Sequence, residues 1–227
     1  ETDEDVEIVK YINSLYSQSK SGNIGTRANF QKSPFDELTY TPTKLDKQLM
    51  PAIFDGQFKL LIITGNAGDG KTAFIRKIEE DKNISPLKTF DNKNGARFKI
   101  DGVDFESNYD GSQDEKGFEN NDVLDNEEKP INFNENANNE VLESFFKPFE
   151  NIDKYSNAVE GRIIAINEGR LVEFLMESDK HKKLHDHIEN YFYNEGHYEL
   201  PEGLMIINLN LRSVVAQTDN EPSLFRQ

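Results

Sequence analysis

The sequence predicts an α/β sandwich on a mainly parallel sheet, and three observations carry that prediction. Short apolar runs recur around residues 60–64, 162–166 and 204–208, each the length of a strand buried on both faces. Stretches with helical periodicity alternate with them. The first run also breaks into a glycine-rich loop followed by a helical pattern, the order expected of a parallel crossover.

Bulk properties narrow the class further. The chain has 227 residues, 35% of them hydrophobic, with a mean hydropathy of -0.75 and a net charge of -16. One main core fits that length, and the polar excess must go to loops, solvated faces or a disordered segment. No apolar run approaches the roughly 18 residues of a membrane span. With no cysteine, a disulfide framework and thiolate metal sites are excluded, which suits a cytoplasmic protein. The N-terminus, ETDEDVEIVK, has no basic region followed by an apolar one and so does not read as a signal peptide. It lacks Met, and the last residues read EPSLFRQ, so a piece of a longer protein is expected. So acidic a chain repels a polyphosphate backbone, and any DNA contact is expected to run through a partner.

Taken in order, residues 4–17 place Val6, Ile8, Val9, Ile12 and Leu15 at near-helical spacing, and turn residues follow; 1–39 therefore reads as a helix with an irregular lead-in. Residues 40–227 read as the core. Thr43 can cap a helix carrying Leu45, Leu49 and Ile53, with Pro51 shortening it and Gly56 ending it. The strand Lys59–Thr64 follows, then the loop and its helix. PLKTF and ARFKIDGVDF each read as a strand, with DNKNG as the turn between them. Composition then shifts: 106–140 is dense in Asn, Asp and Glu and reads as a disordered acidic insertion. Order is expected to resume with a short helix at VLESFFKPFENI, a strand and helix in RIIAINEGRLVEFLMES, a helix at KLHDHIENYF and a strand at LMIINLN.

The chemistry concentrates at Gly65-Asn66-Ala67-Gly68-Asp69-Gly70-Lys71-Thr72, which fits the phosphate-binding loop G-x-x-x-x-G-K-[ST] in full. Glycines let successive N–H groups turn inward as an anion nest, and the helix that follows adds its positive end. Lys71 is expected on the β- and γ-phosphates and Thr72 on Mg²⁺. Asp69 is expected to point away from the nest. Ile163 to Ile166 would deliver Asn167 and Glu168 to the carboxyl edge of the sheet, Asn167 touching Mg²⁺ through water and Glu168 polarising the attacking water. Two rival readings stand beside that one: Asp101 or Asp104 as the metal-shell carboxylate, or Asn167 as a plain helix N-cap. Asn208 or Asn210, at the end of the last strand, reads either as a sensor of the γ-phosphate or as a residue that satisfies a strand end. Arg170 and Arg212 read either as phosphate contacts or as surface arginines. His181 and His185, four apart, can bind zinc in principle but read as a solvated face, since no HExxH pattern accompanies them. No N-K-x-D guanine reader is present, which favours ATP over GTP.

KLDKQLMPAIFDGQFKLLIITGNAGDGKTAFIRKIE, IIAINEGRLVEFL and IINLNLRS together resemble the AAA-like P-loop ATPases of prokaryotic anti-phage defence, in particular the ATPase component of DNA phosphorothioation-dependent restriction systems. The resemblance covers residues 40–80 and 160–213. It implies a three-layer P-loop NTPase core, ATP with Mg²⁺, and partner subunits that supply DNA contact or nuclease action, with a homo-oligomer possible. The acidic insertion departs from the family pattern, and no complete helical lid follows the last strand. The expected function is Mg-dependent ATP hydrolysis within such a complex. The alternatives are a nucleotide-binding switch with little turnover and, less specifically, a small-molecule kinase.

Overall fold

Strand β1, Leu60–Thr64, is the centre of the fold, and every one of its residues is buried. A five-residue Leu/Ile run can be so enclosed only if strands flank it and helices cover both faces. In the computed structural model, which describes residues 50–54, 58–66, 70–81, 85–92, 94–112, 135–194 and 197–211, this is what surrounds it. All of these residues belong to one compact unit, 50–212. The expected helix at 4–17, the rest of the lead-in, and Arg212 lie outside the described residues.

Helix α1, Met50–Phe54, precedes β1, and helix α2, Lys71–Glu79, follows it. Strands β2 (Ser85–Asn92), β3 (Gly95–Ile100) and β4 (Val103–Asn108) come next. Then come α3 (Glu135–Phe146), β5 (Gly161–Ala165), α4 (Glu168–Met176), α5 (Lys182–Tyr193) and β6 (Leu204–Asn208). The six strands form one sheet in the order β2-β3-β4-β5-β1-β6. β4, β5, β1 and β6 run parallel, while β2–β3 and β3–β4 are antiparallel. The sheet is therefore mostly parallel, with an antiparallel margin.

Alternation along the strands sorts side chains between two faces. Leu60, Ile62, Ile164, Ile166, Leu204 and Ile206 join one core with Leu142, Phe146, Leu171, Phe174, Leu184 and Ile188 from α3, α4 and α5. The other face of β1 and β5, Leu61, Ile63, Ile163 and Ala165, is equally buried and looks toward α2, whose Phe74, Ile75 and Ile78 form its buried stripe. Burying each such Leu or Ile side chain contributes about 1.5–3 kcal/mol.

Two expectations need correction. ARFKIDGVDF is not one strand but a hairpin: Asp101 and Gly102, at φ 47 and 79, make a tight turn of the left-handed type that twisted strands favour. The acidic insertion was also drawn too wide. Glu106 to Asn108 are the end of β4, held by its pairing to β5, and the helical pattern resumes by Glu135 in α3. Only 113–134 lies outside the described residues. Among those residues, no helix is long and apolar enough to cross a membrane.

Candidate functional site

Parallel strands bring their carboxyl ends to one edge, and register fixes which residues meet there. Thr64 pairs with Asn208, Ile63 with Ala165, and Ile164 with Asn108. Just past the strand ends, Ile166 N–H donates to Ile63 O at 3.0 Å and Gly111 N–H to Ala165 O at 2.8 Å. The edge therefore carries, side by side, Asp110–Gly111, Asn167–Glu168, Gly65–Asn66 and Asn208.

The loop enters this edge at Gly65 and Asn66 and leaves it at Gly70. Gly70 sits at φ 84, a left-handed conformation that favours glycine, and is the N-cap of α2 with no side chain capping the helix. A glycine at that position cannot cap the helix with a side chain of its own, and a helix start of this kind suits an anion. Lys71 Nζ folds back over the loop, donating to Gly65 O at 2.8 Å and Asn66 O at 2.7 Å. The ammonium is thus held at the start of the loop it is expected to serve. Ala67, Gly68 and Asp69 lie outside the described residues.

Thr72 Oγ1 donates to Tyr109 O at 3.2 Å, so the hydroxyl expected on Mg²⁺ lies against the end of β4. The next residue is Asp110, a carboxylate that the sequence reading passed over. Its Oδ1 accepts from Ser112 N–H at 3.0 Å, and Asn108 Oδ1 accepts from its own N–H at 2.9 Å. Buried Asn94 fixes the same turn, its carbonyl accepting from Tyr109 N–H and its amide donating to Asn108 Oδ1 and Asp110 O. Glu79, on the last turn of α2, accepts from Ser107 Oγ and Tyr109 OH, and Arg76 stacks 4.3 Å over the Tyr109 ring. The loop helix and the end of β4 are thereby tied together. The rival carboxylates do not reach this edge. Asp101 occupies the β3–β4 turn and Asp104 the start of β4, paired with Lys99 at 3.1 Å, where the parallel strands begin.

Asn167 takes the N-cap position of α4, its Oδ1 accepting from Gly169 N–H at 2.9 Å. The capping reading is therefore realised, and that oxygen retains one lone pair for water. Glu168 opens the helix and meets Asn208, whose Nδ2 donates to Glu168 Oε2 at 3.4 Å. Asn208 Oδ1 is occupied by Asn210 N–H at 2.9 Å, so its NH₂ group is the end that faces Glu168. Of the two asparagines singled out, Asn208 reaches the edge while Asn210 supplies a backbone amide to hold it.

Arg170 is a positioning residue. Its guanidinium bonds Asn138 Oδ1 at 2.8 Å, Asn139 Oδ1 and Glu173 Oε2, and Asn138 Nδ2 donates to Gly111 O at 2.9 Å. The histidine reading also changes. His181 is buried, 1% exposed, and precedes α5 rather than lying on its solvated face. His185 pairs with Asp186 and Glu189 instead of converging with it. A cleft of about 720 Å³ opens beside Glu168, lined by Val172, Asp186, Glu189, Asn190, Phe192 and Tyr193. Its three carboxylates repel phosphate, so an anionic ligand is favoured on the loop side of Glu168 and not in that cleft.

The chain matches no protein-family model, no curated protein and no solved structure.

Proposed function

We propose that this chain binds Mg-ATP on the 65–72 loop and hydrolyses it, as the ATPase component of a prokaryotic DNA restriction or anti-phage defence complex. One observation carries the nucleotide part: a single sheet edge gathers the glycine-started helix α2, Lys71, Thr72 bonded to the carbonyl that precedes Asp110, and Glu168 in contact with Asn208. The defence setting, with partner subunits that make the DNA contact, rests on the resemblance of residues 40–80 and 160–213.

Backbone amides of the loop and the Lys71 ammonium bind the phosphates and offset the charge that gathers on the leaving oxygen. Thr72 and Asp110 hold the Mg²⁺ shell, and Asn167 adds an acceptor for a shell water. Held there, Mg²⁺ would supply positive charge that offsets the charge of the phosphates. Glu168 takes the proton of the attacking water as its oxygen adds to the γ-phosphorus and the bond to ADP breaks. Asn208 fixes the carboxylate that does so.

The switch reading draws on the same contact: the amide of Asn208 on Glu168 can also hold the carboxylate away from water, giving a state that keeps ATP. Fluorescent-ATP titration and phosphate release, measured together, separate the two. Lys71→Ala is expected to weaken binding by about 10- to 100-fold, the loss of a charge-assisted contact. Unchanged affinity in that variant sinks both readings, whereas tight binding without phosphate release leaves only the switch.

A further inference from the structure

The second chemically loaded place in the molecule lies on the helical face, away from the sheet edge. Glu143 on α3, Glu150 just beyond it and His181 before α5 bring one ligand atom each to within 4.8 Å of one another. Acidic neighbours alone would mean little. The informative member is His181, whose side chain is fully buried and, among the described residues, whose Nδ1 has no polar partner and whose Nε2 has only Glu143 within reach. Leaving a buried imidazole unsatisfied costs free energy. Its Nε2 points at the cluster, 3.4 Å from Glu143 Oε2 but out of hydrogen-bond alignment. Phe146 and Phe174 pack on the ring, with centroids at 6.0 and 5.6 Å, and hold its orientation.

We propose that Glu143, Glu150 and His181 form a site for one divalent cation of the zinc type, which staples α3 to the segment entering α5. One imidazole nitrogen and two carboxylates are a donor set that Zn²⁺ accepts, with water in the fourth position, and that Mg²⁺ and Ca²⁺, which prefer oxygen alone, do not select. Tetrahedral zinc needs ligand atoms about 3.3 Å apart. Glu143 and Glu150 are only partly buried, so rotation of their side chains closes the gap around a fixed imidazole. Burial keeps His181 below its usual imidazole range despite the pull of Glu143, so the ring is neutral and ready to ligate near pH 7. The competitor is Lys180, whose ammonium lies 3.6 Å from Glu143 and 3.9 Å from Glu150. That lysine is largely exposed, and its chain can swing into water when a cation takes its place.

The test uses the full chain without nucleotide, with Co²⁺ as spectroscopic probe and ZnCl₂ as competitor. One equivalent of Co²⁺ is expected to give the visible bands of a four-coordinate site, and Zn²⁺ to abolish them. Zinc, but not Mg²⁺, should raise Tm by roughly 5–10 °C at a hundredfold excess over Kd. Glu143→Gln and Glu150→Gln, at positions that tolerate change, should each weaken zinc at least about tenfold while near-UV circular dichroism stays native. Lys180→Ala should tighten it. Absence of the cobalt bands, or affinity unchanged in both glutamine variants, overturns the proposal.

Discussion

The parallel half of the sheet and its antiparallel margin are built from different sequences and do different work. β1, β5 and β6 are short apolar runs that lead to polar residues at one edge, β1 and β5 fully enclosed and β6 half-buried at the side of the sheet. β3 and β4 alternate: Phe98, Ile100 and Phe105 are buried, while Arg97 pairs with Glu106 and Lys99 with Asp104 in the open. The margin carries little of the chemistry directly, yet β4 belongs to both halves, antiparallel to β3 and parallel to β5. Asn94 from the margin and Glu79 from α2 together fix the Tyr109–Asp110 turn, whose Tyr109 carbonyl meets Thr72. The lesson is that the apolar half sets where the edge lies and the polar half sets what stands on one end of it.

That division can be broken most sharply at Glu168. Glu168→Gln is expected to lower phosphate release by about 10²–10⁴-fold while fluorescent ATP still binds, because only the proton acceptor is lost. Next come the two ends of β4. Asp110→Asn should raise the Mg²⁺ concentration needed for half-maximal activity by about tenfold, the loss of one charge-assisted contact. Asp104→Asn, at the opposite edge, should leave it unchanged; equal effects in a Mg²⁺ titration would refute the assignment. Gly95→Ala probes the margin as scaffold. A Cβ there would lie 1.9 Å from Ser107 O, so urea unfolding should show a loss of about 1–3 kcal/mol, with Mg²⁺ dependence worsened as the end of β4 shifts.

The smallest expected effect concerns the helical face, as a control outside both halves. His181 has its folded pKa depressed by burial, against the pull of Glu143 and Glu150 and with Lys180 adding to the depression. The folded chain then binds fewer protons than the unfolded one, so this contribution is complete above about pH 6.5 and is lost as pH falls through the folded value. With a chelator present, Tm should fall between pH 7.5 and 5.5, and less so in His181→Gln.

Legibility in the sequence followed the same division. Four consecutive apolar residues bounded by polar or turn residues announce a strand whatever packs on it, so β1, β5 and β6 could be read directly. β4 could not. VDFESN is a strand because β5 pairs with it, and its acidic and amide residues resemble the tract that follows. The Asp101–Gly102 dipeptide was the available signal: read as a hairpin turn, it places the end of β4 six residues later and brings Asp110 into view. His181 was misread because spacing four along a helix says nothing when the first residue precedes the helix. Its burial is a fact of α3 packing, which no local pattern contains.

The bond from Asn138 to Gly111 has one more implication. It closes the chain on itself one residue past Asp110 and so joins the described chain before and after the acidic stretch. Lengthening such a detour adds only about (3/2)RT ln n of closure entropy. A change in the length of that stretch therefore costs the fold little, and insertions there should leave the strand register intact.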